Sequence, residues 1–411
     1  MANTIKKIRK KLRRRKMLAE KARLERKQGI AEGTRRSRLS RRERETLKKV
    51  LTAAALVILL ALALTLFFEK YRYNSYKVLK TSEQEDIVST KYVELDGRIL
   101  RYSPEGASLV NRKLETVWND IYEMQNPVAD VCGSQAVIAD RDGTTLRIYD
   151  KDGMSGSVTT SYSIIKARVS QNGLVAAILD GGDDTWINFY TSNGSLIAEN
   201  QTKVDDPGFP MDVAISDDGM IMMVAFQFVD GSDTTSYVAF YNFGDVGQNE
   251  DDRIVSGYRY EGVVIPQIQY LENSSSVALR DNGFTLYSGK QIPKENKTVQ
   301  VDKEIVSTFY DDDTIGLVFK NDSKDKLYTM EVYTAGGKLK FRKDFSIPYT
   351  TIRMSDGNIL MYNSAQIAVW NDKGTEKYSG TIDGTVNDFF KIGWNKYLLV
   401  LDSGVNIIKL S

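Results

Sequence analysis

Between Val50 and Phe68 the chain runs for 19 residues, VLTAAALVILLALALTLFF, without a charge, a glycine or a proline. At about 1.5 Å of rise per helical residue such a run covers the roughly 30 Å hydrocarbon core of a bilayer. Its apolarity continues around the whole helix, whereas a buried helix of a soluble protein keeps a polar face. A cleavable signal peptide has a shorter apolar region of about 7 to 15 residues that ends in a small-residue cleavage site. This run ends Phe67-Phe68-Glu69-Lys70. The sequence therefore predicts one uncleaved transmembrane helix over 50–68. Residues 1–49 hold 21 Lys/Arg against 5 Asp/Glu, a local charge of +16, so the chain's net +2 leaves −14 for the remainder. Positive-inside bias places that basic tail in the cytoplasm and, after a linker at 69–76, a large domain over 77–411 outside the plasma membrane. Tyr71, Tyr73 and Tyr76 stand where an interfacial aromatic belt would hold the outer end of the span.

Within the tail, Ile5, Ile8 and Leu12 recur at helical spacing among Lys6, Lys7, Arg9, Lys10, Lys11 and Arg13, and Lys48 and Lys49 abut the span. Anionic lipid attracts each basic residue near its surface by about 1 kcal/mol, so these cations are expected at the inner leaflet. The lipid bilayer is thus the first expected partner. Nucleic acid is not, because charge alone gives non-specific affinity and no aromatic interleaving or recognisable binding fold accompanies it.

The chain has no histidine and one cysteine, Cys132. A Ser-His-Asp or Cys-His nucleophile cannot be built, and imidazole-ligated metal sites are excluded. An exported domain of this size without an internal disulfide points to a bacterial envelope. Five Asn-x-Ser/Thr tripeptides, beginning at Asn193, Asn200, Asn273, Asn296 and Asn321, would accept glycans in a eukaryotic host, but the missing disulfides weigh more. Cys132 sits in the apolar run Val128–Gly133 and is expected in the core. Carboxylates cluster at Asp183-Asp184, Asp217-Asp218, Glu250-Asp251-Asp252 and Asp311-Asp312-Asp313. Solvated turns account for most of them. If one cluster binds calcium, Asp311, Asp312 and Asp313 are the expected ligands, although six to eight oxygens must converge for that. No cofactor is expected.

From about residue 77 the pattern changes to short apolar runs broken by Asp-Gly, Asn-Gly and Ser-Gly turns, which is strand chemistry. A unit recurs: an alternating strand, a polar turn, then a strand ending in an aromatic and a turn closed by glycine. Its copies end at Tyr102, Tyr149, Tyr190, Tyr241, Tyr287, Tyr333 and Trp370, and a last copy reaches Ile408. The mean spacing is about 44 residues, within the roughly 40 to 50 of a β-propeller blade. A second register precedes it in Met211–Gly219, Ala167–Gly173 and Ile352–Gly357, each an apolar strand running into a Ser-containing glycine turn.

In these turns and strand ends, residues 77–411 resemble the WD40-like and quinoprotein-like propellers, whose blades carry a Ser-Pro-Asp-Gly type turn and a strand ending Tyr-Asp-x-x-Gly. The resemblance implies an all-β ring of four-stranded blades, and the eight copies suggest eight of them, or seven if the first and last copies complete one blade together. There is no Trp-Asp dipeptide and no Gly-His element, so the WD40 hydrogen-bond network cannot form, and the quinoprotein Trp-docking signature is missing. The layout of basic tail, span and outer ring looks like uncharacterised bacterial families of membrane-anchored propellers, which implies no activity. A pair of β-sandwiches is the alternative fold. For the ring, Tyr76 to Thr81 is expected to supply the outer strand that the last copy lacks.

The expected function is a non-enzymatic binding or scaffold module for an envelope protein or a cell-wall polymer, held at the membrane surface. A carboxylate-based enzyme acting on a polysaccharide or small metabolite, and a transmembrane sensor, are the rival readings.

Overall fold

The computed structural model describes residues 16–21, 23–24, 41–82, 89–203, 207–230, 233–323 and 325–411. Arg41–Lys70 form one helix of 30 residues, α1. Over Lys49–Lys70 it is the one helix among the described residues long and apolar enough to cross a membrane. It starts upstream of the expected span because the segment RRERETLKK consists almost wholly of strong helix formers and holds no glycine or proline to stop it.

Residues from Lys70 onward form a separate compact unit. Its strands make eight antiparallel four-stranded sheets, the blades of a propeller, so the choice between seven and eight resolves to eight. Blades 1 to 7 occupy 91–121, 127–159, 163–203, 209–261, 267–300, 305–345 and 351–381, and blade 8 joins 386–410 to 76–82. Within a blade the strands follow chain order from the axis outward. Strands of five to ten residues with buried, β-branched and aromatic centres, such as Val175–Asp180 and Thr314–Lys320, occupy the middle of each blade. The outermost strands are mostly exposed, as in Lys294–Gln300.

Eight apolar clusters hold the blades, each drawn from two neighbours. Phe240 of blade 4 packs with Tyr270 and Tyr287 of blade 5, and Tyr397 of blade 8 packs with Tyr362 of blade 7. The cluster that closes the circle joins Tyr92, Ile99 and Val110 of blade 1 to Phe390, Leu398 and Val405 of blade 8.

Closure is also made by backbone hydrogen bonding between the two ends of the domain. Tyr76–Ser82 pairs antiparallel with Gly404–Leu410 as the outermost strand of blade 8, as the sequence predicts. The pairing carries the same irregularity as the other blades. In blade 3, Tyr190 faces Leu196 and Phe189 faces Ala198, which leaves Ile197 as an extra residue on the outer strand. In blade 8, Ile408 faces Val78 and Ile407 faces Lys80, which leaves Leu79 as the extra residue. An extra residue on one strand bends it and sharpens the local twist. The aromatic at the end of the third strand thus marks a bulge, and residues from the opposite end of the chain reproduce it.

The first copy of the repeat needs correcting. Tyr102 lies on the second strand of blade 1, Arg98–Ser103, and the position matching Tyr149 and Tyr190 is Val110, where the bulge falls. There the following turn uses Leu114 at φ 63° where most of the other blades place a glycine, as with Gly194 at φ 87°. The Ser-containing turns fall between first and second strands. In blade 3 the Ser170 hydroxyl accepts the Leu174 amide at 3.0 Å and Gly173 takes φ 79°, a backbone that other residues rarely adopt.

Two substitutions test the seams. Phe389→Ala, at a fully buried position, is expected to cost about 3 to 5 kcal/mol. Leu79→Ala, at an exposed bulge, should stay within about 0.5 kcal/mol. Denaturant unfolding of the two variants distinguishes them, and equal losses would contradict the assigned packing.

Candidate functional site

The innermost strands carry charged residues toward their neighbours, and most of these residues are consumed in joining blades. Arg168 of blade 3 reaches both ways: its Nη1 donates to Asp130 Oδ1 of blade 2 at 2.7 Å and its Nη2 to Asp212 of blade 4 at 3.3 Å. Asp130 also accepts the Val169 amide at 2.9 Å. Asp212 is fully buried, accepts the Val213 and Ile268 amides at 3.0 Å and pairs with Lys166 Nζ at 2.9 Å. Burial alone would lower the guanidinium pKa of Arg168, but Asp130 and Asp212 outweigh it and hold the group well above its ordinary value. Across the ring, Arg353 of blade 7 pairs with Asp388 of blade 8 and lies 3.9 Å from the Phe390 ring centroid, and the Tyr362 hydroxyl donates to Asp388 at 2.7 Å. These groups clamp the blades to one another and present little free chemistry to a ligand.

The turns joining first to second and third to fourth strands open on one side of the ring, here termed the front face. On it the sequence-selected carboxylates come together in part. Asp217 follows the innermost strand of blade 4, Glu272 ends that of blade 5 and Asp312 follows that of blade 6. Burial first, then Asp218 and Glu272, raise the Asp217 pKa, and burial followed by Asp217, Asp311, Asp313 and Glu272 raises that of Asp312. Asp218 behaves oppositely. Burial would raise it, but hydrogen bonds from the Met220 amide, Asn273 Nδ2 and the Ser216 hydroxyl lower it. Asp311 accepts the Asp313 amide at 3.1 Å, as a turn aspartate does. Among the described residues no group of three or more His, Cys, Asp or Glu side chains is placed to hold a metal ion. Asp183 lies in the turn before the third strand of blade 3, which Asp184 begins, and Glu250–Asp252 lie in the connection between the third and fourth strands of blade 4.

Cys132 ends the innermost strand of blade 2 and is half-buried, not a core residue as expected, because the strand stops there and its thiol points toward Asp217, 4.0 Å away. Burial, with Asp217, Asp130 and Asp312 adding, pushes its pKa up to about 12, so it is protonated and unreactive at neutral pH.

A second feature of the front face was not foreseen from sequence. At the seam between blades 8 and 1 lies a groove of about 630 Å³ whose lining includes Lys80, Arg112, Lys113, Lys396 and Trp394, with Glu115 as its one carboxylate among the described residues. Trp394 is 73% exposed. It occupies the tip of the blade 8 turn, where Asn395 takes φ 41°. Lys80 Nζ donates to the Lys113 carbonyl at 2.6 Å, which ties blade 8 to blade 1 across the groove, and Arg112 Nε donates to the Gly97 carbonyl within blade 1 at 2.9 Å. Glu115 is held below the usual carboxylate range by a hydrogen bond from Asn111, with Lys113 and Lys80 nearby. No sequence signal could find this site, because its cations come from residues more than 300 positions apart.

Of the cations expected at the inner leaflet, Lys6, Lys7, Arg9, Lys10, Lys11 and Arg13 lie outside the described residues, Lys48 falls within α1, and Lys49 is exposed on it. Tyr73 and Tyr76, expected in an aromatic belt, are instead half-buried against the blade 7 and 8 cluster, because the Tyr73 amide bonds the Lys377 carbonyl and Tyr76 begins the closing strand. Tyr71 is 41% exposed.

Residues 69–410 match the model of one protein family, described as a family of unknown function (DUF5711). A comparison with curated proteins finds no match in sequence. Among solved structures the chain is similar to BamB from Moraxella catarrhalis, at 14% identity and a TM-score of 0.48 over 82% of this chain and 100% of that one. It is also similar to Sqt1 from Chaetomium thermophilum, solved bound to the N-terminus of the ribosomal protein L10, at 11% identity and a TM-score of 0.49 over 77% and 94%. Hydrazine synthase from Kuenenia stuttgartiensis matches at 10% identity and a TM-score of 0.44 over 81% and 99%. Likeness at this level carries nothing about function.

Two outcomes are expected from this geometry. Arg168→Met removes the cation shared by half-buried Asp130 and buried Asp212, leaving Asp212 only Lys166, and should cost about 3 kcal/mol in chemical denaturation, whereas loss below about 1 kcal/mol would remove the clamp. The raised pKa of Asp217 and Asp312 means that the folded chain holds their protons more tightly than the unfolded chain does. Stability should therefore fall as pH rises from the ordinary carboxylate range through the raised values. Asp217→Asn with Asp312→Asn should flatten that slope and raise stability at pH 7, read as melting temperature against pH.

Proposed function

We propose that this chain, which belongs to the DUF5711 family, is a membrane-anchored binding or scaffold module whose propeller lies outside the cytoplasm and receives its partner, an envelope protein or a cell-wall polymer, on the front face. The observation that carries the reading is how the ring's charges are used. The buried Asp212 and the half-buried Asp130, Arg168, Arg353 and Asp388 are spent on joining blades, which makes a rigid platform. On the front face, accessible carboxylates gather over blades 4 to 6, and cations with an exposed tryptophan gather at the seam of blades 8 and 1. A rigid scaffold with such a polarised, loop-built surface suits recognition. α1 and the 21 basic residues before the span support anchoring with the N-terminus in the cytoplasm, and Lys49 and the other tail cations would then rest at the inner leaflet.

One observation favours a second reading. Burial and then the neighbouring Asp217 raise the pKa of Asp312 at the end of the axis, and a carboxylic acid with a raised pKa beside a second carboxylate is what general acid/base hydrolysis of a glycoside needs.

A photocrosslinking residue placed at Trp394 on the front face and at Val229 on the opposite face, both exposed, tests the first reading in intact cells. Discrete adducts from position 394 and none from 229 are expected, and identical patterns from the two would overturn it. Turnover of a cell-wall glycan that disappears in Asp217→Asn and Asp312→Asn would establish the second reading in its place.

A further inference from the structure

The groove at the closing seam is more specific than a charged patch. Its lining takes residues from all four strands of blade 8: Ile392 and Gly393 at the end of the innermost strand, Lys396 on the second, Ile407 on the third, and Leu79 and Lys80 on the outermost. It therefore runs radially across three inter-strand spacings, about 14 Å at about 4.8 Å each. The opposite wall is the turn of blade 1 that carries Arg112 and Lys113. Four cations face one carboxylate along this trench, and the Trp394 indole stands at its inner end, 73% exposed.

Each property selects a class of ligand. Four cations with, among the described residues, only Glu115 opposed to them select a ligand with several negative charges. An exposed indole offers a flat apolar surface with a polar edge, against which the apolar face of a sugar ring lies. A concave trench about 14 Å long admits an extended strand and excludes a flat surface such as a bilayer plane, which would need the cations on protruding tips. Lys80 and Arg112 are held by backbone carbonyls, so part of the ordering cost of binding is already met.

Resting on the binding-module reading above, we infer that the trench between blades 8 and 1 binds one strand of an anionic glycopolymer, with a ring stacked on Trp394 and successive charges on Lys396, Arg112, Lys113 and Lys80. Binding weakens with salt because the contacts are partly exposed ion pairs.

The test uses the full chain in neutral-lipid nanodiscs with fluorinated tryptophan, so that the resonance of Trp394, one of four tryptophans, is assigned by its absence in Trp394→Phe. This local readout is not moved by polyanion bound to the basic tail. Dextran sulfate is expected to shift that resonance saturably, and neutral dextran is not. Lys113→Glu with Lys396→Glu should weaken the titration at least tenfold, whereas Lys294→Glu with Lys343→Glu, on blades 5 and 6 with the same change in net charge, should leave it within twofold. Equal weakening by the two pairs, or an unshifted Trp394 resonance, overturns the inference. So does a shift produced by nanodiscs containing phosphatidylglycerol in the absence of polymer, which would make lipid headgroups the ligand. Discrete protein adducts at position 394 together with no dextran sulfate shift would sink this inference alone and leave the binding-module reading standing.

Discussion

The ring depends on a pairing between residues more than 300 positions apart. Until Tyr76–Ser82 lies against Gly404–Leu410, blade 8 has three strands and the last of them exposes an unpaired edge. Open edges invite pairing with other chains, and the closing strand covers this one and leaves blade 8 with an outermost strand like those of the other blades, without needing a disulfide. The single cysteine of this chain is consistent with that logic, since the closing strand supplies backbone hydrogen bonds in place of a covalent link. The contacts are non-local, so their loop-closure entropy is met late in folding. The closing strand is also the first strand made, and it must wait for the last.

Closure determines what the axis can do. Eight blades around one axis would leave a wide opening if their inner strands carried small side chains. Here Arg168 and Arg353 bridge neighbouring blades through Asp130, Asp212 and Asp388, and each carboxylate is further held by a backbone amide or a tyrosine hydroxyl. Buried pairs of this kind add little net stability against an apolar substitute, yet breaking one partner is costly. They fix how blades are rotated about the axis, and they leave the exposed chemistry to the faces.

The fold was largely legible in the sequence because its repeat has a physical cause. An aromatic ends the third strand where the outer strand bulges, and glycine follows where the turn needs a positive φ. Both requirements recur in most blades, so the spacing shows through a degenerate sequence. Blade 1 was misplaced by one hairpin for the same reason: Val110 and Leu114 fill the aromatic and glycine positions there, and Tyr102 imitated the mark on the neighbouring strand. The closing strand was legible because a count of strands came out one short. Cys132 was misjudged because an apolar run predicts a strand but not where its end meets the solvent. The Asp217 and Asp312 approach and the seam groove could not be read at all, since both are made by closing a circle, and adjacency around a circle has no trace in linear spacing.

Charge explains why the seam is set apart from the rest of the ring. Everything after residue 49 carries a net −14, so the ring as a whole repels anions. Against that background four cations gathered at one groove form a local well in an unfavourable field. Carboxylates over blades 4 to 6 deepen the contrast, because an anion approaching the front face is turned away from the axis mouth and toward the seam. A uniformly cationic ring would hold polyanions everywhere and in no particular register. A single cationic trench in an anionic ring gives weaker overall attraction but one orientation, which is the property that electrostatic complementarity supplies more readily than affinity. The closing strand supplies Lys80 to that trench, so the contact that completes the fold also completes the site.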